Sequence, residues 1–232
     1  MKYTISRRNG VLLLLVVLGA GLAMSILTAL FAHQSNGYFG FPLDDAWIHL
    51  QFAKNLHDYG TFSYYKNEMV TSGSTSPLYT LILALGFFCT HDEMILSYFL
   101  GVAFLLAGAF FLFRIIVEDV NDVFMAAAAA LLFLLEPRLQ WIALSGMETT
   151  LFVALTLATL YYYKRKKPVM IGIGCGLLVW TRPEGLVLAC ALAIDLLYHT
   201  YAPSTGKERK KGREVKLSLR WIRSAVVIFA AT

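Results

Sequence analysis

Apolar residues in this chain come in blocks separated by short polar stretches, with no strict alternation. The first block covers 11–32 and follows three cations, Lys2, Arg7 and Arg8. Others cover 77–90, 94–117, 123–135, 149–163, 168–180 and 185–201, and a last one begins at Ser224. In hydrocarbon every backbone amide needs an internal partner, and without the period-two pattern of a barrel strand the blocks predict helices. A full span takes about 20 residues, so the shorter blocks must borrow flanking residues, tilt, or fail to cross. The first block is longer than the roughly 7–15 residues of a signal-peptide core and has no A-x-A cleavage site, which predicts a retained anchor. The fold class predicted is all-α, a polytopic transmembrane helical bundle with a long first outer loop containing an amphipathic interfacial helix.

Cations upstream of the first block predict a cytoplasmic N-terminus and an outer loop over 33–76. Two basic loops, Lys164 to Lys167 and the 203–223 stretch containing Lys207, Arg209, Lys210, Lys211 and Arg213, are then cytoplasmic. The tips at 145–148 and 181–185 fall outside. Three apolar blocks separate the first outer loop from the 145–148 tip, whereas an even number of crossings is required. Either 77–90 or 123–135 is therefore re-entrant or wrongly divided.

Composition removes the alternatives. Of 232 residues 58% are hydrophobic and 15% charged, well below the roughly 25% charge of a soluble domain. A mean hydropathy of +0.62 agrees. The net charge of +5 sits in loops, and no aromatic-interleaved basic motif accompanies it, so nucleic acid is not a predicted partner. Cys89, Cys175 and Cys190 lie in apolar blocks without paired spacing and read as small buried hydrophobes.

The outer loop is rich in aromatics, among them Trp47, Tyr64 and Tyr65, and too long for a turn. Residues 42–45 read as a helix start, Gly60 as its stop, and Ile48, Phe52, Leu56 and Tyr59 as an apolar stripe resting on the outer leaflet. Asp44 and Asp45 then flank the stripe at headgroup depth. Capping of the helix by these acids is the competing reading. Downstream, Thr71 to Pro77 is turn-rich, with Ser76 as N-cap and Pro77 at the first helical position; its amides and hydroxyls, Ser72 and Ser76 among them, suit a phosphate or sugar. Two further acids, Glu148 and Glu184, fit capping boxes opened by Ser145 and Thr181. His33, His49 and the His91-Asp92-Glu93 cluster read as interfacial polar residues, and Asp195 as a residue facing the bundle or its cytoplasmic end.

Four segments together resemble the GT-C superfamily of membrane glycosyltransferases, most nearly the branch of mycobacterial-type terminal arabinofuranosyltransferases. They are Leu43-Asp44-Asp45-Ala46-Trp47-Ile48 with its continuation to Tyr59-Gly60; Asn67-Glu68-Met69-Val70 with Thr75-Ser76-Pro77-Leu78-Tyr79; Leu144-Ser145-Gly146-Met147-Glu148-Thr149; and Trp180-Thr181-Arg182-Pro183-Glu184-Gly185. The superfamily also holds protein O-mannosyltransferases and lipid A aminoarabinose transferases. The resemblance implies a multi-pass enzyme of the cell membrane. It would take a sugar from a polyprenyl-phosphate donor to a hydroxyl of a glycan, lipid or protein acceptor, with inversion. It implies Asp44 as catalytic base, Asp45 as its support, and Glu68, Ser72, Ser76, Glu148, Arg182 and Glu184 as substrate-binding residues. Arg182 would hold the phosphate, since guanidinium matches it bidentately. Some superfamily members use a divalent cation, and Asp45 and Glu68 would be the ligands for Mg2+ or Mn2+ here, although no ligand spacing in the sequence points to one. Members of the branch are longer, so the chain reads as the N-terminal part of such a domain. The alternative function is a transporter or flippase subunit, which would place its ionisable residues near the bilayer midplane.

Overall fold

The computed structural model describes residues 7–201 except Asn67 and Ser72. The basic stretch at 203–223 and the block from Ser224 lie outside the described residues. Described residues form helices joined by loops, with no strand among them. In order these are α1 (Arg7–Asn36), α2 (Asp44–Tyr59), α3 (Pro77–Gly86), α4 (Glu93–Val120), α5 (Val123–Leu135), α6 (Pro137–Ala143), α7 (Thr149–Lys164), α8 (Pro168–Thr181) and α9 (Gly185–Tyr201). The chain divides into two compact units, one ending at Leu157 and the other starting at Ala158.

In the first unit α1 and α4 are long and apolar enough to cross a membrane. At 1.5 Å per residue their 30 and 28 residues exceed a hydrocarbon core of about 30 Å. A third candidate is α5 with α6, a pair bent by 61°. The outward side chains of α1, including Leu15, Val16, Leu27 and Phe31, are more than half exposed, and such a surface needs apolar surroundings.

The bundle is packed through small residues. A side-chain carbon on Gly10 would meet Val123, and one on Gly21 would meet Leu134, so α1 and α5 run parallel with matched register. Gly101 faces the Ala143 backbone and Gly108 faces Phe133, so α4 runs against α5 and α6. Close approach of this kind relies on the absence of a side chain. Around it Leu105, Ala109, Phe113, Ala126, Ala130 and Leu134 form the core. The α4–α5 reversal takes two residues: Asn121 ends α4 in the left-handed region, and Asp122 accepts from the amides of Phe124 and Met125. At the bend Glu136 caps α6 through the Leu139 amide and Pro137 follows. There the Gln140 amide donates to the Leu134 carbonyl and accepts from Ser25 of α1. A break in the helix thus finds its hydrogen-bond partner in a buried side chain.

Helix lengths bear on the parity conflict. With ten residues α3 is about 15 Å long, half a hydrocarbon core, while α5 and α6 together match one span. Two candidate spans, α4 and the bent pair, then separate the first loop from the 145–148 tip. Contact confirms that both loops share one end: a side chain on Gly146 would strike Phe41 and Ala46.

Helix α2 starts and stops where expected, with Gly60 in the left-handed region donating its amide to the Leu56 carbonyl. Its buried face differs from the expected stripe. Ala46, His49, Leu50 and Ala53 turn inward, with Leu50 and Ala53 packed on Tyr79, Leu83 and Ala84 of α3, while Tyr59 is exposed. Phe52 is buried from another side, under Phe62 and Tyr64. The helix is thus wrapped by protein on two sides, where a one-sided leaflet helix was expected. The expectation failed because Ala46 and His49 were not counted as core-facing. Cys89 and Cys190 are exposed and Cys175 half-buried, against the buried reading.

The second unit holds the last part of α7, from Ala158, followed by α8 and α9 through short turns. Lys166 takes a positive φ between α7 and α8, Arg165 stacks over Tyr161, and Gly174 faces Thr159. Gly185 lies against the Leu178 backbone at the α8–α9 turn, and Tyr163 donates to Asp195.

Candidate functional site

The site is built on the first two turns of α2. Leu43 occupies the N-cap with extended backbone and gives no side-chain cap bond. Asp44 and Asp45 are therefore the first helical residues. Both are exposed, and neither side chain has a hydrogen-bond or ion-pair partner among the described residues. The helix dipole favours acids at this position, but no amide is capped by them. Two adjacent carboxylates are left open to solvent.

Helical geometry separates their directions. Asp45 stands one turn before His49 on the same face, while Asp44 is turned about 100° from it, toward the column of Ile48 and Gln51. His49 is 1% exposed. Its Nδ1 is 3.2 Å from Ser74 Oγ, which is hydrogen-bonded at 2.8 Å to Thr80 Oγ1. Its Nε2 is 3.3 Å from Glu148 Oε2, and Glu148 is itself 2% exposed. The Tyr79 ring meets the imidazole edge-on. Burial, and after it the Glu148 charge, pushes the Tyr79 hydroxyl well above its usual range. Tyr79 therefore stays protonated.

Glycines mark how closely the loops approach. Gly146 has φ +74 and lies on Phe41 and Ala46, and Gly73 lies on the Phe52 ring. The loop after α2 folds back on the same helix: Gln51 donates to the Tyr64 carbonyl, Asn55 to those of Ser63 and Tyr64, and the Thr71 amide to Phe62. An aromatic wall of Phe39, Phe41, Trp47 and Tyr98 borders the acidic turn, anchored where Tyr98 donates to the Gly40 carbonyl.

Of the four segments singled out in the sequence, 43–60, the 75–79 part of the second and 144–149 thus meet at one place. The named residues are distributed unevenly within it. Asp44, Asp45 and Glu68 are exposed, Ser76 and Glu148 are buried out of reach of a ligand arriving from solvent, and Ser72 lies outside the described residues. Arg182 and Glu184 belong to the second unit, where they pair at 3.6 Å.

Both capping boxes need correction. Thr149 already opens α7, so Ser145 cannot be its N-cap, and its hydroxyl donates to the Ile142 carbonyl. Thr181 ends α8 and donates to the Leu177 carbonyl one turn back. His49, read from sequence as an interfacial residue, is instead the buried centre of the cluster. Its spacing from Asp45 was the available signal.

Among the described residues no three His, Cys, Asp or Glu side chains converge on a common point. Asp45 and Glu68 do not gain the further donors that a hard cation requires, so this donor set does not fit a resident divalent metal. A groove of about 290 Å³ between Asn9, Leu12, Leu13, Val16 and Phe124 lies on α1 and α5 and touches none of the site residues.

Comparison with protein-family models, with curated proteins and with solved structures finds no match for this chain. What the fold and composition establish is that the described residues are all-helical, with two candidate membrane spans, or three if the bent α5–α6 pair is one.

Proposed function

We propose that the chain is an inverting membrane glycosyltransferase acting on the outer face of the cell membrane, with a polyprenyl-phosphate sugar as donor and a hydroxyl of a glycan, lipid or protein as acceptor. The observation that carries this reading is the convergence of three distant polar segments on two adjacent, exposed carboxylates that cap nothing. Asp44 takes the acceptor proton as the oxygen attacks the anomeric carbon. The bond to phosphate breaks with its electron pair staying on the departing polyprenyl phosphate. A phosphate leaves without protonation, so one base suffices and no general acid is needed. Asp45, aligned above His49, supports the turn.

The orientation belongs to the same reading. Arg7 and Arg8 hold the start of α1 in the cytoplasm, and the α2 end of the bundle, with the 145–148 tip, faces outward.

The test is transfer of labelled sugar from polyprenyl-phospho-sugar by the full chain in membranes, comparing wild type with Asp44→Asn and Asp45→Asn. Loss of a general base predicts a fall of about 10²–10⁴ in turnover for Asp44→Asn. Melting temperature in detergent should stay unchanged, because exposed side chains without partners contribute within about 0.5 kcal/mol. Unchanged turnover in both variants overturns the reading. Movement of unaltered donor lipid across vesicles, without transfer, favours the flippase alternative.

A further inference from the structure

Acids elsewhere in the first unit show what an ordinary capping carboxylate looks like. Asp92 accepts from the Ile95 amide and Asp122 from those of Phe124 and Met125, and both remain exposed; Glu136 is half-buried. Glu148 also stands at a helix start, yet it is 2% exposed. Burying a carboxylate costs several kcal/mol unless a partner of matching chemistry is supplied. The side chain that meets its Oε2 is His49, equally buried and fastened on its far nitrogen to Ser74. Nδ1 is held by Ser74, which is hydrogen-bonded in turn to Thr80, while Nε2 lies within ion-pair distance of Glu148 Oε2, so a buried carboxylate faces one ring nitrogen and a hydroxyl chain holds the other.

This pair ties the 145–148 loop, the 71–77 loop and α2 together one turn below the acidic residues. Gly146 reinforces the tie. Its left-handed backbone and its approach to Phe41 and Ala46 bring the same loop against the first turn of α2. We propose that His49 and Glu148 are a positioning pair, which fixes the turn bearing Asp44 and Asp45 and does not touch substrate. Its catalytic consequence rests on the glycosyltransferase reading above; the pair itself does not.

The experiment therefore has two readouts on the full chain in detergent or nanodiscs. The first is independent of activity: ¹⁵N-histidine spectra, with the His49 signals assigned by their loss in His49→Gln. In Glu148→Ala both His49 ring-nitrogen signals move, because the buried carboxylate beside Nε2 is gone. Signals that stay in place overturn the pair. The second readout is transfer kinetics. A displaced base costs about a hundredfold in kcat while ground-state binding persists, so Glu148→Ala and His49→Gln each lower kcat by about that factor with KM for the donor within about twofold. The double variant falls no further than either single one, as groups acting as a unit do. Glu148→Gln, nearly isosteric, guards against misfolding: it should retain the wild-type melting temperature and still lose at least about tenfold in kcat. Wild-type kcat in Glu148→Gln and Glu148→Ala overturns the positioning role. Absence of transfer by wild type overturns the reaction and that role together, while the spectra still decide whether the pair exists.

Discussion

The bundle of α1, α4, α5 and α6 and the headpiece of α2, α3 and their loops belong to one compact unit but are held by different chemistry. Inside the bundle the core is Leu, Ala, Phe and Val, brought close by glycines, with Ser25 and Gln140 as a buried polar tie. Inside the headpiece an apolar seam of Leu50, Ala53, Tyr79 and Leu83 is accompanied by buried His49, Asn55, Ser63, Ser74, Ser76 and Thr80. Close packing tolerates only narrow changes of volume, whereas a hydrogen-bonded cluster fixes directions. A site that must hold two carboxylates in a set orientation gains more from the second kind of construction.

The comparison is broken most severely at Gly101. A side-chain carbon there would stand 2.0 Å from the Ala143 carbonyl oxygen, which is backbone and cannot swing aside. Gly101→Leu should cost on the order of 4 kcal/mol, read as loss of monodisperse protein in detergent or a steep fall in melting temperature. Leu134→Ala comes next: the residue is fully buried against Gly21 of α1, and about 3 kcal/mol is expected, with α1 loosened from α5 in hydrogen exchange. Gln140→Ala probes the polar tie. It leaves the Leu134 carbonyl without its donor at the bend, while the Ser25 hydroxyl keeps the Gly21 carbonyl, costing about 2 kcal/mol by the same melting assay. If Gln140→Ala proves costlier than Leu134→Ala, the bundle is held by its polar tie more than by packing, and the contrast fails.

The bundle was largely legible in the sequence because long apolar blocks have few ways to satisfy their amides. Residues 123–135 and 185–201 became helices with the bounds read from the sequence. What escaped was the seven-residue α6, opened by Glu136-Pro137, because its apolar content continues α5 and only the bend separates them. In the headpiece the ends of α2 and the Ser76-Pro77 start of α3 were legible from turn chemistry. The rotation of α2 was not, since Ala46 and His49 have no hydrophobic signal strong enough to outweigh Ile48 and Tyr59. His49–Glu148 was illegible for a different reason. A contact across roughly a hundred positions depends on the approach of the 145–148 loop, and a single sequence contains nothing that couples the two. Asp44 and Asp45 could be singled out because their signal, adjacent acids in the first turn of a helix, is local.

Asn55 gives the smallest effect and the one that separates the two kinds of construction best. It is 4% exposed, and its amide donates to both the Ser63 and the Tyr64 carbonyls, at 2.9 and 2.8 Å. Asn55→Ala takes a donor from both carbonyls, but Tyr64 keeps Gln51 and the loop can turn the Ser63 carbonyl toward water, so the expected cost is about 1 kcal/mol, the low end for lost buried hydrogen bonds. Exchange should quicken at 61–66 and leave α4 and α5 unchanged, since Gln51 and the Phe62–Thr71 bond still close the loop. Phe52 should become more accessible, because Phe62 and Tyr64 form its cover. Turnover should fall modestly, by less than the fall for Glu148→Gln, because the loop shields the helix and the 145–148 contact orients it. A drop in turnover equal to that of Glu148→Ala would mean that the cover orients the acidic turn as much as the buried pair does, and the division of labour drawn here would have to be abandoned.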